Sequence, residues 1–104
     1  MPKNAKKSIR IKGITPMYLE DHSFEGFAVR RIVRGTHFRQ YVSASAQNYP
    51  ELGNRESRRA AAFTKAKELK AGLDGVLDEA GSFRKGELTK ASARKIMDLG
   101  FRIV

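Results

Sequence analysis

The chain has 104 residues, with 21 Lys plus Arg against 11 Asp plus Glu and a formal net charge of +10, which bounds it to one small basic domain. It contains no Cys, so disulfide frameworks, zinc fingers and thiol nucleophiles are excluded. No apolar run approaches the roughly 20 residues that span a bilayer. With no signal-type apolar stretch at the start, the expectation is an intracellular, cytoplasmic protein, nucleoid-associated if it binds DNA. The charge is unevenly placed. Residues 1–70 hold 15 Lys and Arg against 6 Asp and Glu, a net of +9, and residues 71–104 hold 6 against 5, a net of +1. A single-sign field over two thirds of a chain costs self-repulsion, which a polyanionic partner such as nucleic acid offsets.

Residues 1–7 contain Lys3, Lys6 and Lys7, no acid and no periodicity, and read as a flexible basic arm. From Ser8 to Ile14, Ile9 and Ile11 alternate with Arg10 and Lys12, the period of a half-buried strand; Gly13, Thr15 and Pro16 are read as its end. Met17 to Glu25, which carries Glu20, Asp21, His22 and Glu25, reads as a connecting loop.

Gly26 to Ser43 reads as a β-hairpin turning at Arg34-Gly35-Thr36. Parity tests the register, because residues opposed in an antiparallel ladder share a face. A two-residue turn pairs Val33 with Thr36, and a four-residue turn pairs Val33 with Phe38. Either register puts Phe27, Val29, Val33, Phe38 and Val42 on one face and Arg30, Arg34, Arg39 and Tyr41 on the other. Arg31 and Gln40 are left as misfits on the apolar side.

After a loop containing Asn48, Pro50 and Gly53, Asn54 is a good N-cap. From Arg55 to about Asp78, Ala62, Ala66, Leu69, Leu73 and Val76 recur at spacings of three and four, which predicts an amphipathic helix. Gly72 and Gly75 are expected to weaken its last turns. Glu87 to Leu99 has helical spacing, with Gly100 placed for a left-handed C-cap. Phe101 to Val104 is β-prone: it either completes the monomer's own sheet or docks on the core, and as an exposed edge it would pair two copies into a homodimer.

The expected fold is therefore α+β: a three-stranded antiparallel sheet packed on one long amphipathic helix, with a short C-terminal helix and strand. Residues 8–79 form the β-β-β-α nucleic-acid-binding domain, and residues 80–104 extend it. Two His, no Cys and scattered carboxylates give no catalytic set, so no enzyme activity, cofactor or metal is expected. His22 beside Asp21 reads as a solvated loop pair. A β-ribbon can enter the major groove, where Arg bonds guanine and flanking cations hold phosphates. Arg30, Arg34, Arg39 and Tyr41 form such a face, which Arg10 and Lys12 extend if the first strand joins the sheet. Arg55, Arg58 and Arg59 form a second cluster at the helix start, where cations oppose the macrodipole and a phosphate would relieve the conflict.

Three segments, Gly26-Phe27-Ala28-Val29-Arg30-Arg31, Phe38-Arg39-Gln40-Tyr41-Val42 and Ala60-Ala61-Ala62-Phe63 through Ala66 and Leu69, carry a resemblance. Over about residues 8–78 the chain resembles the domain shared by plant ethylene-response factors and the arm-binding domains of phage tyrosine integrases. The resemblance implies a sheet whose outer face lies in the DNA major groove with the helix packed behind. It would assign readout to Arg30, Arg39 and Tyr41, with Arg10, Lys12 and Arg34 as further contacts. The favoured expectation is thus a small double-stranded-DNA-binding protein of phage or mobile-element origin. Two alternatives stand beside it: a phage-encoded module that docks on or inhibits a host nucleoprotein, and an RNA-binding or ribosome-associated protein.

Overall fold

The computed structural model describes residues 12–104, so the basic arm, Arg10 and most of the strand expected over Ser8 to Ile14 lie outside the described residues. The chain folds as an α+β unit. Its main sheet contains β1 (Ile14–Tyr18), β2 (Phe24–Val33), β3 (Thr36–Ser43) and a short C-terminal strand, with a long helix, α1 (Arg55–Asp78), on one face. Between α1 and the second helix, α2 (Lys90–Asp98), lies a small hairpin of β4 (Phe83–Arg84) and β5 (Glu87–Leu88). The final strand is β6 (Arg102–Ile103), and the main sheet runs β1-β2-β3-β6. Among the described residues the sheet has the three expected strands and a fourth, β6, from the C-terminal segment, which completes the sheet.

The first strand differs most from expectation. Lys12 and Gly13 form a turn, and the strand begins at Ile14 and runs through Thr15 and Pro16. Pro16 is tolerated because β1 is, among the described residues, an edge strand with a single neighbour, and a residue whose N–H would face away from that neighbour loses no ladder bond. A tight loop, Leu19 to Ser23, leads into β2. The Leu19 amide donates to the Ser23 carbonyl at 2.9 Å, and Asp21 Oδ1 accepts from the Ser23 amide at 2.9 Å and hydroxyl at 2.6 Å. Those Ser23 bonds hold the Asp21 carboxyl below its ordinary range. Asp21 and the left-handed His22 (φ 69°) thus shape a turn.

The hairpin takes the two-residue turn, with Val33 opposite Thr36 and Phe27 opposite Val42. Arg34 (φ 51°) and Gly35 (φ 83°) both adopt positive φ, as a type I′ turn requires and as suits the right-handed strand twist. Phe27, Val29, Phe38 and Val42 are buried against α1. Arg31, a misfit on that face, is matched by the helix: its Nη1 lies 2.6 Å from Asp74 Oδ1, while Lys70 Nζ lies 2.6 Å from Asp74 Oδ2. Burial would raise the Asp74 pKa, but the bonds from Lys70 and Arg31 outweigh it and hold the carboxyl below its ordinary range.

Asn54 caps α1 as expected, its side chain accepting from the Glu56 and Ser57 amides. Ala62, Ala66, Leu69, Leu73 and Leu77 are its buried residues. Val76, at the end of the expected spacing, is only partly buried against the core, while its neighbour Leu77 is buried. Small Ala62 and Ala66 let the helix lie close to the strands. The helix continues through Gly72 and Gly75, and Gly72 has a packing reason: a Cβ there would lie 3.2 Å from Leu99 Cδ1.

The second helix is shorter than its periodicity suggested. Glu87 and Leu88 belong to β5, and Thr89 supplies the N-cap, accepting from the Ser92 amide. Its end matches a Schellman motif: the Gly100 amide donates to Met97 and the Phe101 amide to Ile96. Gly100 has φ 98°, and buried Phe101 meets the same core as Ile96. This turn directs the chain back along β3, where β6 completes the sheet with Phe38 opposite Ile103 and Arg39 opposite Arg102.

Candidate nucleic-acid interface

The sheet face away from α1 is built by register alone. Arg30 lies opposite Arg39, and Arg39 lies opposite Arg102. Three exposed guanidinium side chains therefore form one row across β2, β3 and β6, at neighbour spacings of about 4.8 Å between strands. Like charges directly opposed in a ladder destabilise it. Among the described residues, none of the three is in a salt bridge, and the acids that do pair (Asp74, Asp78 and Glu79) engage Arg31, Lys70 and Lys95.

The rows on either side are less charged. One carries Ala28 opposite Tyr41. The other carries Ile32 opposite His37, and His37 exchanges both backbone hydrogen bonds with Val104 at 2.9 Å. Tyr41 donates its hydroxyl to Glu25 Oε2 at 2.6 Å. Burial first, and then this bond and the Glu25 charge, push the phenol pKa well above its ordinary value. Tyr41 therefore stays neutral, and with its hydroxyl committed it offers the face chiefly a ring.

The remaining sequence-nominated residues are distributed around this face. Lys12 is exposed in the turn beside Gly13, whose carbonyl accepts from the Arg30 amide at 2.7 Å; it stands at the margin of the arginine row. Arg34 lies in the hairpin turn, not in a strand, and its guanidinium sits 5.1 Å from the Phe83 ring centroid. Phe83 packs against the core, so this cation–π contact draws Arg34 toward the helix side. Arg10 lies outside the described residues.

The second cluster separates into individual roles. Arg58 Nη1 donates to the Leu52 carbonyl at 2.9 Å, tying the preceding loop to α1. Arg59 lies over the Phe24 ring at 4.4 Å. Arg55 is exposed, and its charge acts on Asp21. These three line an open cleft of about 770 Å³ with Phe24, Glu25 and Glu56. The two carboxylates temper its positive charge, unlike the arginine row.

Sequence reasoning missed Arg102, Ile32 and Val104 as members of the exposed face. Residues 71–104 are near-neutral as a whole, so their charge balance does not single out Arg102. The available signal was the alternation of Phe101 and Ile103 with Arg102 and Val104, which places one Arg outward once the segment is a strand. No protein-family description, curated protein or solved structure matches this chain.

Proposed function

We propose that this protein is a small non-enzymatic domain that binds double-stranded DNA through the outer face of its sheet. The observation that carries this reading is the row Arg30, Arg39 and Arg102 across three adjacent strands, with no carboxylate paired to it among the described residues. Such a row costs stability in the free protein, and an anionic partner offsets that cost. Duplex DNA suits the arrangement because a β-ribbon fits a major groove about 12 Å wide, and Arg matches the O6 and N7 edge of guanine bidentately. The row spans about 10 Å at ordinary strand spacing. The A-form major groove of duplex RNA is too narrow for this surface. Lys12 at the margin and the Lys3, Lys6 and Lys7 arm would add phosphate contacts.

The test is a gel-shift salt titration with three probes: random duplex DNA, single-stranded DNA and a structured RNA. Duplex DNA is expected to bind best, with affinity falling on the order of 10³-fold between about 50 and 200 mM salt, as five to eight neutralised phosphates imply. Tighter binding to RNA or to single strands, or no salt-dependent binding, overturns the reading.

A further inference from the structure

The exposed face carries apolar side chains as well as arginines. Ile32 is 56% exposed and Val104 66% exposed, and they flank His37 in the row beside Arg30, Arg39 and Arg102. Phosphates and sugars would give these side chains little. In the major groove, however, thymine presents one apolar group, its 5-methyl, on the same surface where guanine presents acceptors to Arg. The two rows lie two strand residues apart, about 6.7 Å, which is close to two base-pair steps of about 3.4 Å each. A face laid along the groove would therefore present arginine and aliphatic groups to bases about two steps apart.

We infer that Ile32 and Val104 contact thymine methyl groups beside guanines engaged by the arginine row, so that the protein prefers mixed G and T sequence over uniformly G·C or A·T duplex. This rests on the DNA-binding reading above. Charge complementarity selects the occupant: a protein partner of apolar character would leave three guanidinium groups facing an uncharged surface, whereas a thymine-containing major groove supplies both kinds of partner together.

Replacing thymine by uracil removes the methyl and keeps the base's hydrogen-bonding edge. The test is competition binding of the full chain to a randomised duplex of about 24 base pairs, made either with thymine or with uracil, at about 150 mM salt. The thymine pool is expected to bind about fourfold more tightly per methyl contact, the factor that burying one such group supplies. Ile32→Ser and Val104→Ser, checked by circular dichroism for an intact fold, are each expected to shrink the ratio while retaining affinity for the uracil pool. Equal affinity for both pools, or a ratio unchanged in both folded variants, overturns the inference and leaves DNA binding standing. Binding to neither pool removes the DNA-binding reading, and the inference falls with it.

Discussion

Replacing Arg30 and Arg39 together by Ala is expected to weaken duplex binding by about 2–5 kcal/mol, roughly 30-fold to several thousand-fold, while leaving the fold intact. Each guanidinium that meets a base edge contributes about 1–3 kcal/mol of recognition, and the two lie opposite one another in the ladder. Both are exposed, so truncation opens no cavity. It also removes a like-charge opposition, and the thermal midpoint should hold steady or rise slightly. The combination is diagnostic: a destabilised protein also binds less, but it does not keep its midpoint. Fluorescence anisotropy on duplex DNA with a parallel thermal melt measures both, and unchanged affinity in a folded double variant would exclude the sheet face as the DNA surface.

The opposite pattern is expected for Phe38→Ala. Phe38 is fully buried, lies opposite Arg31 on β2 and Ile103 on β6, and packs in the cluster that joins the sheet to α1. Truncating a buried Phe costs about 3–5 kcal/mol through lost burial and the cavity left behind. A domain of this size holds about 5–15 kcal/mol in total, so the thermal midpoint should drop by about 15 °C or more. Because the same side chain seats β6, Arg102 should lose its fixed position, and DNA affinity should fall along with stability. A loss below about 1 kcal/mol in denaturant unfolding would contradict the packing of sheet on helix described here.

The parts legible in the sequence were those with a strong period and clear punctuation. Hairpin parity settled the faces, since both turn lengths it allowed put the same residues together, and the structure takes the two-residue turn. Asn54 and the Ala62 to Leu73 spacing located α1 to within a residue. Segments with conflicting local signals were harder. Thr15-Pro16 looks like a strand end, yet an edge position tolerates Pro, so β1 continues through them. Glu87 and Leu88 fit a helical period, but Lys85 and Gly86 adopt positive φ and turn the chain into a two-residue-per-strand hairpin. Arg31 read as a misfit because its partner, Asp74, lies 43 residues away.

The candidate interface divides in the same way. Arg30, Arg39 and Tyr41 followed from hairpin parity and share the exposed face. Arg34 shared their parity, but a turn residue does not obey strand alternation, and Phe83 captures it. Local alternation sets Arg102 on the face opposite Ile103, but its place beside Arg39 depends on a long-range pairing that local period does not encode. Its placement requires the Schellman turn at Gly100 to direct the chain back beside β3. The C-terminal segment consequently has two roles, with Phe101 completing the core and Arg102 completing the basic row.

The central claim, that the outer sheet face is the DNA surface, is tested most directly by titrating the isotope-labelled protein with duplex DNA and following its NMR signals. The largest shifts are expected for Arg30, Ile32, His37, Arg39, Tyr41 and Arg102, with the buried face of α1 and the Asp74 ion pairs little affected. Shifts concentrated instead on α1, on α2 or in the Arg55, Arg58 and Arg59 cleft, with the arginine row unmoved, would contradict it.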